Sequence, residues 1–369
     1  MSQNFEQLCN LHVCDLVAYE PGKPIEDTAR ELGLDPNTIV KLASNENNLG
    51  PSAKAVEAIQ AGLSDMHLYP DGGGYALRTA LAKKLDVDFD QVILGNGSNE
   101  IIELLSHVFL NPEVNLVASE HAFVVYRLMG NLFGASYKQV ANPDFKHDLP
   151  AMLAAIDENT RIVFIANPNN PTGTDVTQAQ IDAFMEALPE HVVAVFDEAY
   201  YEFLDEPVDV LKYVRQGRKV CVLRTFSKIY GLAALRIGYG IASKEVASIL
   251  QKARQPFNTN ALAQAAAIAA LEDYEHVEAT RAMNKAGLAY YEQVFQEIGL
   301  EYVPSVANFI LVKVGEEGEA GQELFEAMLK QGVIIRSMKS YALPEWVRIS
   351  IGTQAQNERC VEVLKNILL

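Results

Sequence analysis

Short apolar segments alternate with longer segments of helical periodicity between about residue 53 and residue 257. Within the short segments apolar residues follow one another almost without interruption, which is typical of strands that helices cover on both faces. The six segments that we predict to be strands are Gln91–Leu94, Val114–Ala118, Arg161–Ala166, Val192–Phe196, Lys219–Thr225 and Ile237–Ile241. Their repetition with helices between them predicts a doubly wound α/β domain with a mostly parallel sheet.

The pattern differs on either side of this region. Before it, the amphipathic segment Ile25–Leu32 predicts one helix in an N-terminal arm. After it, the proline-free region Thr259–Glu297 predicts helix with one break, and the rest predicts a small α+β domain, which the N-terminal segment could complete. The predicted elements of that domain are strands Phe309–Val314, Val333–Arg336 and Trp346–Ile351 and helices Gly321–Gln331 and Gln354–Leu368. The expected division is 1–50 (arm and part of the small domain), 51–260 (large domain), 261–300 (linking helices) and 301–369 (small domain).

Composition and charge exclude several classes of function. The 369 residues are 49% hydrophobic and 21% charged, as in an ordinary globular protein. A net charge of −18 disfavours nucleic acid or an anionic membrane surface as the main partner. No apolar run reaches the roughly 18 residues of a membrane span, and the first ten residues do not resemble a signal peptide.

The four cysteines indicate a reducing compartment, because none of them forms a CxxC motif. We therefore expect a cytoplasmic protein. Cys9, His12 and Cys14 lie close together in the sequence, but no second ligand pair follows at the spacing of a zinc site. The sequence thus predicts no metal site.

Candidate ligand-binding residues follow the predicted strands, at the edge where open α/β sheets bind ligands. The turn Gly95–Glu100 leads into a helix and offers backbone N–H groups to a phosphate, although a simple helix cap would have the same pattern. It contains neither GxGxxG nor GKS/T, so a dinucleotide or a nucleoside triphosphate is not indicated. The loop Asn167–Gly173 places three asparagine amides after another strand.

An acid and a lysine follow the next two strands. Asp197 ends an apolar strand, where an unpaired carboxylate would be costly, so a cation should face it. Lys228 lies among apolar residues, where desolvation makes an amine nucleophilic, and Arg236 follows it. Asp197 and Lys228 are separated by about one strand–helix–strand unit of roughly 30 residues and can therefore end neighbouring strands. Each feature alone has an ordinary structural explanation, but together they fit a ligand with a phosphate, an aldehyde and a protonated ring nitrogen. That ligand is pyridoxal 5′-phosphate (PLP).

The chain resembles the fold-type I PLP-dependent aminotransferases and, within them, the histidinol-phosphate aminotransferase family. The resemblance extends from Tyr19 almost to the C-terminus and is strongest in NPNNPTG, FDEAY and TFSKIYGLAALRIGY. It implies a sheet of the seven-stranded type in the large domain and a homodimer with shared active sites. The implied reaction interconverts L-histidinol phosphate plus 2-oxoglutarate with imidazole acetol phosphate plus L-glutamate.

The resemblance also assigns roles to individual residues. Lys228, Asp197 and Tyr200 are the implied catalytic residues: the lysine binds the cofactor's aldehyde and shuttles a proton, and the acid pairs with the ring nitrogen. The other implied cofactor contacts are Gly97, Ser98, Asn99, Phe123, Asn170, Ser227, Arg236 and, from the other subunit, Tyr69. Two positions depart from the family pattern, because many relatives have tyrosine where this chain has Phe123, and some have Ala-Asp where it has Ser98-Asn99.

Substrate binding is assigned to two strand arginines, an arm tyrosine and a pocket asparagine. Two arginines can clamp a carboxylate or phosphate, although a surface salt bridge would explain either residue alone. The implied substrate-binding residues are Tyr19, Asn45, Arg336 and Arg348, with Glu46 in the same pocket segment as Asn45.

Three alternative functions remain compatible with the sequence. The first is an aminotransferase of the same fold that prefers aromatic or other amino acids. The second is a fold-type I decarboxylase of phosphorylated amino acids. The third is a regulatory or scaffold protein that binds PLP without transaminating.

Overall fold

The computed structural model describes residues 8–14, 16 and 22–369 of the chain. We number strands and helices in chain order. The strands are β1 Val40–Lys41, β2 Val92–Gly95, β3 Asn115–Ser119, β4 Ser136–Val140, β5 Thr160–Ala166, β6 Val193–Asp197, β7 Val220–Thr225, β8 Gly238–Ala242, β9 Tyr302–Val303, β10 Phe309–Lys313, β11 Val333–Ile334, β12 Arg336–Ser337 and β13 Trp346–Ser350. The helices are α1 Leu11–Cys14, α2 Ile25–Leu32, α3 Ala53–Gly62, α4 Tyr75–Leu85, α5 Gly97–Phe109, α6 Val125–Leu132, α7 Leu149–Ala154, α8 Gln178–Ala187, α9 Leu211–Arg215, α10 Lys244–Ala253, α11 Ala261–Leu271, α12 Tyr274–Ile298, α13 Ala320–Lys330 and α14 Gln354–Leu368.

The large domain is built on a seven-stranded sheet with the order β2-β8-β7-β6-β5-β3-β4. All neighbouring strands are parallel except β8, which runs antiparallel to both β2 and β7. Successive side chains of the central strands enter two separate apolar cores: in β5, for example, Val163 and Ile165 enter one, and Ile162 and Phe164 enter the other. Both faces are thus buried, which is why the strands have nearly continuous apolar sequences.

The small domain has a four-stranded antiparallel sheet, β12-β13-β10-β9, and a two-stranded parallel pair, β1-β11. Its core packs α12, α13 and α14 against these strands and includes Leu42, Tyr291, Ile310 and Val347. β1, which comes from the N-terminal segment, pairs with β11 near the other end of the chain.

The predicted α/β class is confirmed, although individual strands differ from the prediction; the short strands β1 and β9, for example, were not predicted. The edge strand β4 is missing from our prediction, because its sequence, Ser-Tyr-Lys-Gln-Val, is polar and partly exposed rather than apolar. The segment Val333–Arg336 is not one strand but parts of two, β11 and β12, which pair in different sheets. The predicted helical break is confirmed at residues 272–273, between α11 and α12.

No helix among the described residues is long and apolar enough to span a membrane. In the same part of the chain, no group of three or more histidine, cysteine and acidic residues could hold a metal ion. Cys221 and Cys360 are buried thiols.

Candidate active site

A cavity of about 490 Å³ lies between the two domains, where β5, β6 and β7 end and β8 begins. The reversed direction of β8 brings its first residues to the same edge as the ends of its parallel neighbours. The predicted site residues that line the cavity are Asn45, Gly97, Ser98, Asn99, Phe123, Asn170, Asp197, Tyr200, Ser227, Lys228, Arg236, Arg336 and Arg348. The fold therefore brings together residues that are far apart in the sequence.

One end of the cavity is shaped for an anion. Helix α5 begins there at Gly97, whose φ of +71° suits glycine. A Cβ at Gly97 would lie 2.8 Å from Nη2 of Arg236, and a Cβ at Gly238 would lie 2.4 Å from the backbone nitrogen of Ser98. The Ser227 hydroxyl is buried and has no hydrogen-bond partner among the described residues. A helix N-terminus, an arginine and an unsatisfied hydroxyl together fit a phosphate group.

Asp197 is buried at the end of β6. Its Oδ2 accepts a hydrogen bond from the Tyr126 hydroxyl at 2.8 Å, and its Oδ1 accepts one from the Ala199 N–H at 3.2 Å. Burial raises the pKa of this carboxyl to about 6, although these two hydrogen bonds and Lys228 oppose the shift. A buried carboxylate of this kind suits a cationic partner such as a protonated ring nitrogen.

Lys228 lies just beyond the end of β7 and is half-buried. Its Nζ donates a hydrogen bond to the Ser44 carbonyl at 3.2 Å and lies 5.6 Å from the centre of the Tyr200 ring. Burial lowers the pKa of the amine to about 8, and the nearby positive charge of Arg348 adds to the shift. About a tenth of the amine is therefore neutral and nucleophilic at pH 7, far more than for an ordinary lysine.

A hydrogen-bond network joins the two domains beside Lys228. Asn45 donates from Nδ2 to the Tyr200 hydroxyl at 2.9 Å, so the hydroxyl proton remains available to a ligand. Arg348 donates to Oδ1 of Asn170 and to the Ala43 carbonyl, which leaves the Asn170 Nδ2 as a possible donor to the same ligand. Burial raises the pKa of Tyr200 to about 12, so this side chain is a hydroxyl donor throughout the physiological pH range.

Two residues that the resemblance brings forward do not line the cavity, and a third cannot be located in it. Tyr69 is 83% exposed and stacks on Phe257, with ring centroids 4.8 Å apart. Glu46 pairs with Lys41 at 2.9 Å and is not among the lining residues. Tyr19 lies outside the described residues.

The cavity also contains residues that our sequence analysis missed. Thr225 lies at the end of β7, and α6 contributes an apolar wall from Val125, Leu128 and Met129. Tyr341 enters from the small domain, and Tyr126 reaches Asp197. The three-residue spacing from Phe123 to Tyr126 does not identify Tyr126 as a helix-face neighbour, because Phe123 precedes α6.

The donor set fits PLP. The unsatisfied Ser227 hydroxyl and the helix start at Gly97 suit its phosphate, Asp197 suits its ring nitrogen, and Lys228 suits its aldehyde.

Comparison with known proteins agrees with this fit. Residues 37–364 match the family model "Aminotransferase class I and II". A histidinol-phosphate aminotransferase of Akkermansia muciniphila is 59% identical over 366 residues, which cover 99% of this chain and 100% of the relative. Histidinol-phosphate aminotransferase 2 of Pseudomonas fluorescens Pf0-1 is 48% identical over 370 residues, covering 100% and 99%.

Comparison with solved structures gives a similar result. The crystal structure of histidinol-phosphate aminotransferase from Sinorhizobium meliloti, in complex with pyridoxal 5′-phosphate, superposes with a TM-score of 0.88 at 26% identity, covering 96% of this chain and 97% of that one. The chain therefore belongs to the class I and II aminotransferases and, within them, to the histidinol-phosphate aminotransferase family.

Proposed function

We propose that this protein is a PLP-dependent aminotransferase that interconverts L-histidinol phosphate plus 2-oxoglutarate with imidazole acetol phosphate plus L-glutamate. One observation carries the proposal: Lys228 and Asp197 line a single cavity with a phosphate-shaped pocket at one end and two arginines, Arg336 and Arg348, on its small-domain side. A phosphorylated or carboxylated substrate can then be held by its anion while its amino group faces the lysine.

The cofactor, when bound, supplies a conjugated ring that takes up the electron pair released from the substrate's Cα–H bond. Gly97, Ser98, Ser227 and Arg236 would hold its phosphate. Asp197 would keep its ring nitrogen protonated, because a buried carboxylate stabilises a neighbouring positive charge.

Lys228 is the group that moves protons at the substrate. Its amine would hold the cofactor's aldehyde and, when free, would carry a proton away from the substrate's Cα. A pKa lowered to about 8 by burial lets the amine accept and return this proton near neutral pH.

Tyr200 and Asn170 orient the reacting groups. The Tyr200 hydroxyl accepts from Asn45 and can donate its own proton to the cofactor's ring oxygen, with Nδ2 of Asn170 as a second donor. Since Arg348 fixes Asn170 through Oδ1, a substrate anion that engages Arg348 is linked directly to the cofactor-binding loop. We assign Arg336 and Arg348 to the substrate's anionic groups, Asn45 to the same pocket and Phe123 to the face of the cofactor ring.

A homodimer is part of the proposal. Exposed apolar side chains cluster around Tyr69, namely Leu63, Met66, Leu68 and Phe257. Exposed apolar patches of this kind often mark protein interfaces. Tyr69 is exposed, stacks on Phe257 and does not line its own cavity, which supports a role at a second subunit's phosphate pocket. The family resemblance alone assigns Tyr19 to the partner's substrate.

We also propose that the enzyme acts in the cytoplasm. The chain has four cysteines and no CxxC motif, a pattern that fits a reducing compartment.

A spectral titration tests the proposed reaction. The purified holoenzyme is mixed in turn with histidinol phosphate, phenylalanine and glutamate, and the cofactor absorbance is followed. We expect histidinol phosphate and glutamate to change the spectrum, and phenylalanine to do so only at much higher concentration. A larger response to phenylalanine would favour an aromatic aminotransferase, and carbon dioxide release without a keto acid would favour a decarboxylase.

The role of Lys228 is tested separately. Borohydride reduction of the holoenzyme should attach the cofactor to the Lys228 peptide, as read by mass spectrometry. Lys228→Ala should lose both this adduct and turnover, and a variant that keeps both would refute the assignment.

A further inference from the structure

Tyr126 is a buried tyrosine whose ring is held on two sides by aromatic residues. It stacks on Phe164 of β5 with ring centroids 4.3 Å apart and an angle of 4° between the ring planes. It also meets Phe123 edge-on at 5.7 Å and 86°. These contacts fix the ring, because aromatic pairs prefer such offset or edge-to-face arrangements. The ring position in turn fixes where the hydroxyl points.

The hydroxyl points at Asp197. It donates to Oδ2 at 2.8 Å, while the Ala199 N–H donates to Oδ1 at 3.2 Å. Each carboxylate oxygen therefore has one protein donor and keeps a lone pair for a further donor. An unpaired hydroxyl at this depth would be costly, so the bond serves the tyrosine as well as the acid.

Hydrogen bonds to a carboxylate stabilise its charged form. Asp197 is desolvated, which works in the opposite direction, and the ionisable groups around it are Tyr126, Lys228 and Tyr200. Tyr137 faces Tyr126 from β4. Burial and the adjacent carboxylate raise the pKa of Tyr126 well above its ordinary value, so the phenol stays protonated. Tyr126 is thus a constant donor that adds no charge of its own.

We propose that Tyr126 is a positioning residue that keeps Asp197 ionised and aimed at the ring nitrogen of the cofactor. The proposal rests on the proposed function, since it assumes that PLP occupies the cavity. Tyr126 touches two of the groups that would contact the cofactor ring, because it meets Phe123 with its edge and Asp197 with its hydroxyl.

The test uses Tyr126→Phe, which keeps the ring and removes the hydroxyl. PLP is titrated into the apoenzyme, and we expect the affinity to fall about ten- to a hundred-fold, the range for a hydrogen bond to a charged group. Tyr137→Phe is the matched control: its hydroxyl donates to the Ser119 carbonyl at 3.3 Å and does not touch Asp197. This control should stay within about two-fold of the wild type.

A double-mutant cycle separates the charge effect from packing. If Tyr126 acts through the charge of Asp197, adding Tyr126→Phe to Asp197→Asn should change PLP affinity by less than about three-fold. An equal loss in both backgrounds would show that Tyr126 merely packs against Phe123, and would overturn the proposal.

The pH dependence of PLP affinity gives a second readout that does not need Asp197→Asn. Removing the Tyr126 donor raises the pKa of Asp197, so the acidic loss of affinity should begin at higher pH in Tyr126→Phe, by about one pH unit. An unchanged midpoint would also overturn the proposal. If the wild-type apoenzyme fails to bind PLP, the proposed function itself fails; if it binds PLP and Tyr126→Phe matches it, this inference alone fails.

Discussion

Gly238 gives the most direct test of the phosphate pocket. It is the first residue of β8 and pairs with Gly95 of β2 and Thr225 of β7. A Cβ at this position would lie 2.4 Å from the Ser98 nitrogen and 2.5 Å from the Gly97 carbonyl carbon. Since carbon contacts become favourable at about 3.5 Å, Gly238→Ala must move the start of α5 by about 1 Å. Both obstructing atoms belong to the backbone, so no side-chain rotation can relieve the clash.

We expect two measurable effects of Gly238→Ala. Overpacking should lower the free energy of unfolding by about 1–3 kcal/mol, as measured by urea denaturation of the apoenzyme. Displacing the N–H groups of α5 should weaken PLP binding at least ten-fold in a titration of the apoenzyme, because one hydrogen bond to a charged group is worth about 1.5 kcal/mol or more.

Gly240→Ala is the matched control on the same strand. Its Cβ would meet Cγ2 of Ile101 at 3.0 Å, and that side chain can shift. We expect a smaller loss of stability and an unchanged affinity for PLP. Wild-type affinity in Gly238→Ala, or the same loss of affinity in both variants, would refute the assignment of this pocket to the phosphate.

Three further predictions concern other parts of the site. Arg224 donates to Oε2 of the fully buried Glu198 through Nε and Nη2, both at 2.8 Å. Glu198→Ala would leave the buried Arg224 without this partner and should lower the free energy of unfolding, measured in urea, by about 3–5 kcal/mol. A change below about 1 kcal/mol would contradict this prediction. Tyr200→Phe removes the hydroxyl that accepts a hydrogen bond from Asn45, and kcat in steady-state assays should fall about ten- to a hundred-fold. An unchanged kcat would show that the Tyr200 hydroxyl has no part in the mechanism. Burial lowers the pKa of Lys228 to about 8, so the rate at which the apoenzyme binds PLP covalently should rise with pH and level off above about pH 8. Stopped-flow absorbance measures this rate. A rate that still rises at about pH 10 would indicate an ordinary lysine.

The central sheet was predictable because its strands are buried on both faces and therefore carry continuous apolar sequences. The edge strand β4 was not, since Lys138 and Gln139 interrupt its apolar pattern. The pairing of β1 with β11 was not predicted either, because it involves only two residues of each strand and joins opposite ends of the chain. The sequence pattern identifies strands that are buried on both faces, including the edge strand β2, and misses strands that are exposed or only two residues long.

In the candidate site, the sequence likewise predicts some residues and misses the contacts between domains. Asp197 and Lys228 could be predicted as candidates because Asp197 ends β6 and Lys228 lies just beyond β7, and the carboxyl ends of parallel strands share one edge. The interdomain contacts could not, because the bond from Asn45 to Tyr200 depends on how two separately folded units meet. Tyr126 lies on a helix, and its bond to Asp197 depends on the rotation of that helix against β5 and β6, which sequence spacing does not specify.

The cofactor-binding and substrate-binding residues are attached to different sheets, and this has a consequence for how substrate preference can change. Lys228 and Arg236 both lie on the connection from β7 to β8, so the distance between them is set within one rigid sheet. Arg336 and Arg348 belong to another sheet with its own apolar core. Loosening that second core, for instance with Ile349→Ala, should therefore raise the KM for the amino donor more than it weakens PLP binding, which Arg348 affects only through Asn170. Evolution could thus alter which amine is accepted without rebuilding the chemistry that processes it.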